Sequence, residues 1–182
     1  MNKFLVFVLV LAFPLLANAS SARQASLEEL LDYSTLIVVG TPASRTSAWE
    51  KTRIYTTWDF LIEEVWLQED TVDPKKLSAL ASLTKLAIKT LGGIVGEIGQ
   101  TVAGSPRLIT GQTYLLFLTP SQEGSFFIVG LSQGAFEVNG ESLRQLSQLG
   151  DMKIVDDRLE LPSTRTKLRQ AIIQARRSKP HQ

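Results

Sequence analysis

Apolar and polar positions change period several times along this chain, and each period predicts an element. Leu27, Leu30 and Leu31 recur at helical spacing behind Ser26, with Glu29 three residues after the serine. This is a capping box, in which serine and glutamate side chains each satisfy a free backbone N–H at the start of a helix, here ending near Tyr33. Leu36 to Val39 is an unbroken β-prone run closed by Gly40, as expected of a strand buried on both faces. Residues 41–52 are polar and include Pro42, so they read as a loop into a hairpin. The next segment alternates. Ile54, Thr56, Trp58, Phe60 and Ile62 share one face, and Arg53, Tyr55, Thr57 and Asp59 the other. Beyond Ile62 the apolar residues Val65 and Leu67 fall on the opposite parity, a slip that a β-bulge over Glu63-Glu64 produces.

The second half repeats the alternation in shorter pieces. Residues 68–84 suit a helical insertion opened by Asp73-Pro74, with Leu77, Leu80 and Ala81 at helical spacing. Leu86 to Leu91 is a strand, and Gly92 to Gly99 a glycine-interrupted hairpin with Ile94, Ile98 and Val102 on one parity. Gly104-Ser105-Pro106 and Gly111-Gln112 are turns. Tyr114 to Leu118 is a central strand stopped by Pro120. Phe126 to Val129 and Gly134 to Val138 are further strands, and Asn139-Gly140 signals a tight hairpin. Glu141 to Gly150 supports two readings, the returning strand or a helix carrying Leu143, Leu146 and Leu149. Met152 to Leu161 suits a last short strand pair, and Ser163 caps a final helix with Leu168, Ala171, Ile172 and Ala175 inward. The predicted class is mainly β: a small β-barrel or rolled sheet with an N-terminal helix and a C-terminal helix.

Residues 1–19 follow a different logic. Lys3 precedes an apolar run from Phe4 to Leu16, and Ala17-Asn18-Ala19 is a small-x-small cleavage site. This is the pattern of a secretory signal peptide, with Ser20 as the mature start; the run is shorter than the roughly 20 residues of a membrane span. The expected organisation is therefore a signal peptide over 1–19, a β-barrel-like domain over 20–162 and a basic helix and tail over 163–182. No membrane span is expected after cleavage, and the location is periplasmic or extracellular. Losing residues 1–19 removes one cation and no acid, so 18 charges of each sign remain and the mature chain is neutral. Its charge is polarised, because Arg165, Lys167, Arg169, Arg176, Arg177 and Lys179 are the only ionised side chains after Ser163.

Composition removes several chemistries. With no Cys, there is no thiol nucleophile, disulfide framework or cysteine-held metal. The one His is His181, next to the chain end, which leaves no histidine for a catalytic triad in the core. The glycines at 92–99 match neither a phosphate loop nor a dinucleotide fingerprint. They serve a close backbone approach, or they offer an exposed loop to a partner. The candidate partner-binding residues are Gly92, Gly93, Gly96, Glu97, Gly99, Gln100 and Arg107, together with Trp49 in the polar segment. A carboxylate hydrolase around Glu63, Glu64 and Glu97 is the enzymatic alternative. Asp156-Asp157 is a weaker carboxylate pair. The six C-terminal cations are candidates for contact with an anionic envelope surface, or are solvated on a docked helix. No catalytic residue, metal or cofactor is assigned, and no nucleic-acid partner is expected.

Three blocks carry a family resemblance: Leu36 to Thr41 with Ile54 to Trp66; Gly92 to Gly96 through Val102 to Leu118; and Ile128 to Val138. They resemble a group of exported bacterial proteins of unassigned function. The order of elements is also similar to the netrin-like module and the tissue inhibitors of metalloproteinases. That resemblance implies an oligonucleotide/oligosaccharide-binding (OB) type of barrel and a protein partner such as a secreted protease. Those inhibitors hold the protease zinc through an N-terminal Cys, which this chain lacks. The resulting expectation is an exported protein that acts by binding another protein.

Overall fold

The computed structural model describes residues 21–66, 84–146, 153–154 and 161–178. The expected signal peptide, the helical insertion around 68–83, Asp156-Asp157 and Lys179 lie outside these residues. Helix α1 (Leu27–Tyr33) begins with the expected capping box: Glu29 N–H donates to Ser26 Oγ at 3.2 Å, and Ser26 N–H donates to Glu29 Oε2 at 2.9 Å. Strands β2 (Leu36–Glu50) and β3 (Arg53–Trp66) form a long antiparallel ribbon. They are followed by β4 (Lys85–Leu91), the small hairpin β5 (Gly93–Val95) and β6 (Ile98–Gln100), then β7 (Tyr114–Pro120) and β8 (Phe126–Ile128).

The order β7-β2-β3-β4-β8 closes on itself through β7–β8, giving a five-stranded barrel. Counted along the barrel strands alone, the order is 1-2-3-5-4 returning to 1, with β4–β8 the parallel pair. This is compatible with an OB-like fold. Strands β9 (Ala135–Asn139) and β10 (Ser142–Gln145) extend the sheet beyond β7 as a tight hairpin, whose two turn residues are Gly140 and Glu141, one position on from the expected Asn139-Gly140, since Asn139 pairs with Ser142. The strand reading of Glu141 onward therefore holds over the described part, and the helical one does not. A parallel pair, β1 (Ser21–Ala22) with β11 (Lys153–Ile154), and helix α2 (Arg165–Arg177) complete the described fold. The α2 cap is Thr164 and not Ser163: Thr164 Oγ1 accepts from Lys167 N–H at 3.3 Å.

One sheet separates two cores. Leu36, Val38, Trp58, Phe60, Leu116 and Leu118 fill the barrel. Ile37, Val39, Leu115 and Phe117, from the opposite faces of the same strands, pack outside it against Leu30, Leu31, Leu168 and Ile172 of the two helices. The first residues of β2, Leu36 to Val39, and those of β7 are thus apolar on both faces because both faces are covered there.

Two bulges shape the ribbon. Val39 pairs with Glu64 and Gly40 with Ile62, so Glu63 is an extra residue on β3, as the parity slip predicts. It keeps Ile62 and Val65 against the barrel core and turns Trp66 into the outer one. Gly40 sits at this bulge because a Cβ there would lie 2.0 Å from the Leu61 carbonyl oxygen. The second bulge is Ala43 on β2, between the pairs Pro42–Phe60 and Ser44–Asp59. Here the expectation of a loop over 41–52 is corrected: β2 continues to Glu50. Its ladder with β7 ends at Gly40, so beyond that point the only strand β2 pairs with among the described residues is β3, with one added backbone bond from Gly111 N–H to the Pro42 carbonyl at 3.0 Å. A strand with a free edge tolerates proline and polar side chains.

Candidate functional site

The glycine segment predicted as a hairpin is one, and it covers a cleft at one end of the barrel. Two bonds to the backbone of Ile54 seat it: Gly92 N–H donates to the Ile54 carbonyl at 2.8 Å, and Ile54 N–H donates to the Gln100 side-chain Oε1 at 2.6 Å. Gly93 lies where the hairpin crosses the ribbon. A Cβ there would stand 2.4 Å from Thr56 Oγ1 and 2.5 Å from Ser47 Oγ, and its φ of +144° is one that residues other than glycine rarely adopt. Gly96 and Glu97 form the turn at the tip. The hairpin exposes Ile94 at 69% and Ile98 at 56%, far above what a half-buried strand pair needs. Both readings of the glycines therefore meet in one element, with a close approach at its base and a projecting tip.

The cleft below has a volume of about 420 Å³. The hairpin contributes Gly92, Gly93, Ile94, Gly99 and Gln100 to its wall. The segment after the hairpin contributes Thr101, Val102, Ser105, Pro106, Arg107 and Leu108. The barrel contributes Arg45, Thr56, Trp58 and Thr90. The hydroxyls of the barrel floor already have partners. Thr56 Oγ1 donates to the Gly92 carbonyl at 2.7 Å and shares a 2.8 Å bond with Ser47 Oγ. Trp58 Nε1–H donates to Thr90 Oγ1 at 3.0 Å. Ser105 Oγ donates to the Leu91 carbonyl at 2.6 Å. Arg45 stacks over Trp58, with its guanidinium carbon 5.5 Å from the ring centre.

Of the predicted partner-binding residues, Gly92, Gly93, Gly99, Gln100 and Arg107 line one cleft, and Gly96 and Glu97 sit on the tip above it. Trp49 is 46% exposed on the free arm of the β2–β3 ribbon, outside the cleft lining. Arg45 escapes a reading of the sequence because it falls in the stretch taken for a loop. The Ala43 bulge pairs it across the ribbon with Trp58 and pairs Ser47 with Thr56, which sets both on the cleft face. The pattern of β2 by itself carries no signal for it, because what marks it is its cross-strand partner, the buried Trp58.

The carboxylates are dispersed. Glu64 receives the Trp66 indole N–H at 2.9 Å and the Arg165 guanidinium. The Trp66 bond first, then Arg165, hold its carboxyl below 4.5 against the opposing effect of burial. Glu63 Oε1 accepts from Thr41 Oγ1 at 2.8 Å. Glu97 stands on the hairpin, which is anchored at Ile54, roughly 30 Å of strand away from Glu64. Among the described residues, no group of three or more potential metal ligands occurs.

The basic helix is docked, with Leu168 and Ile172 buried beneath it. Arg165 pairs with Glu64, and Arg169 lies 5.5 Å from the centre of the Trp66 ring. Lys167 and Arg177 are exposed, and Arg176 belongs to the last turn. Among the described residues, no helix is long and apolar enough to cross a membrane.

Next to Thr90 on β4, Lys89 ties the end of β2 to the β7–β8 loop. Its ammonium contacts Glu50 at 2.8 Å, before the β2–β3 turn, and Glu123 at 2.6 Å, in the β7–β8 loop. These bonds, Glu123 foremost, raise its pKa above the ordinary lysine value. No protein-family model matches this chain, and no curated protein matches it.

Proposed function

We propose that this is an exported, non-enzymatic binding protein that engages another protein through β5–β6 and the adjoining 101–108 segment. The observation that carries the reading is the hairpin itself. It holds two large apolar side chains in solvent on a base locked by Gly92, Gly93 and Gln100. Exposed aliphatic side chains on a rigid support suit association better than a solvated turn. Export follows from the pattern of residues 1–19. The netrin-like resemblance suggests a secreted protease as the partner class. Any such contact works without a metal-binding thiolate, since the chain has no Cys.

The test is affinity capture from periplasm or culture medium with the wild-type chain and with Ile98→Asp. Reproducible capture of a protein that the Ile98→Asp chain fails to retain is the expected result. Capture of nothing reproducible, or equal capture by both, overturns the reading.

A further inference from the structure

We infer that the cleft beneath β5–β6 receives a carboxylate carried on a peptide segment of the partner, held between the guanidinium groups of Arg45 and Arg107. This rests on the binding reading above and names the chemistry that the partner must bring. Both arginines line the cleft, and no acidic side chain does. No ion pair among the described residues involves either one. The hydroxyls of Thr56, Thr90 and Ser105 are already engaged within the protein. Besides the neutral Thr101 hydroxyl and Gln100 amide, the donors lining the cleft are these two cations, and their charge is unbalanced locally. Arg45 is held over the Trp58 ring before any ligand arrives, so little side-chain freedom is lost when it binds.

Three observations select a peptide carboxylate from among the anions. First, Ile94, Val102 and Leu108 line the same cleft. A peptide carries an acid and an apolar side chain side by side, whereas inorganic phosphate leaves the apolar wall unused. Second, the one tryptophan in the wall has its face covered by Arg45, so it offers no stacking platform for a sugar ring or a base. Third, two cations are few for tracking a nucleic-acid backbone, which takes several phosphate contacts. The volume of about 420 Å³ falls in the usual range of ligand clefts.

The test uses the full mature chain and three probes: a capped hexapeptide of alternating leucine and glutamate, the same peptide with glutamine for glutamate, and inorganic phosphate. Binding is followed by nuclear magnetic resonance at the amides of Gly92, Gly93, Gly99 and Gln100 and at the side-chain Nε–H groups of Arg45 and Arg107. The acidic peptide is expected to shift these signals. Its Kd should rise roughly tenfold or more in Arg45→Gln and in Arg107→Gln, the loss of one charge-assisted hydrogen bond. Added salt should weaken it further. Arg107 lies exposed in a loop, so its variant remains informative even if Arg45→Gln disturbs the Trp58 packing. Absence of shifts, equal shifts with the glutamine peptide, or an unchanged Kd in Arg107→Gln overturns the proposal. Equal shifts from phosphate overturn the peptide assignment. Partner capture that is lost in Ile98→Asp but retained by the Arg45→Gln/Arg107→Gln chain overturns the carboxylate grip while the binding function stands. Peptide shifts at the cleft with no partner captured support the grip and count against the function.

Discussion

Glu64 shows how a single residue joins the barrel to its outer helix. Its neighbours Trp66 and Arg165 both donate to its carboxylate, and its pKa lies below the ordinary value of 4.5. A carboxyl whose folded pKa is depressed stabilises the fold above its unfolded pKa, and that contribution is lost as pH falls through the folded value. The melting temperature of Glu64→Gln should therefore lie below wild type at neutral pH. The two should converge as the pH falls below 4.5 and on through the depressed folded value, which calorimetry in acid would check. The extra residue at Glu63 was legible from parity alone, because Ile62 and Val65 cannot both face the core of a regular strand. Arg45 was not legible. Its placement depends on the residue opposite it, Trp58, and one strand's pattern does not name its cross-strand neighbour.

At the scale of elements, patterns bounded by strong local chemistry were read well. The capping box of α1, the glycine hairpin of β5–β6 and the tight turn after Asn139 each rest on a few adjacent residues with strong local backbone preferences, though the last turn lies one residue beyond its expected place. Residues 41–50 were missed because a strand with a free edge and polar side chains shares its composition with a loop. The C-terminal helix was read from its apolar stripe, yet its cationic face divides unexpectedly, with Arg165 and Arg169 turned onto the barrel. Leu168 is fully buried under this helix, so Leu168→Ala should cost about 2–5 kcal/mol. Hydrogen exchange is the measurement. Amides of α2 should lose protection first while those of β2 and β7 keep theirs, because the helix packs on the outer core alone.

For the molecule as a whole, the decisive event is closure of the barrel. The seam is short: β8 pairs with β4 at Ile88–Phe126 and Lys89–Phe127, and with β7 over Leu118–Ile128 to Pro120–Phe126. Phe127 pairs with Lys89 on one side and Thr119 on the other. Phe127→Pro removes a backbone donor there and should cost about 1–3 kcal/mol through the partner left unsatisfied. Urea unfolding followed by intrinsic tryptophan fluorescence should show the midpoint moving down accordingly. The amino-acid pattern alone specified a mainly β chain, two flanking helices, doubly buried β2 and β7, a bulge and a glycine hairpin, because each is encoded by residues near one another. Tertiary structure decided which strands meet, that the sheet closes, and that Arg45 and Arg107 face one cleft. Those outcomes come from pairing between distant segments, where burial of two separate cores selects one register from many.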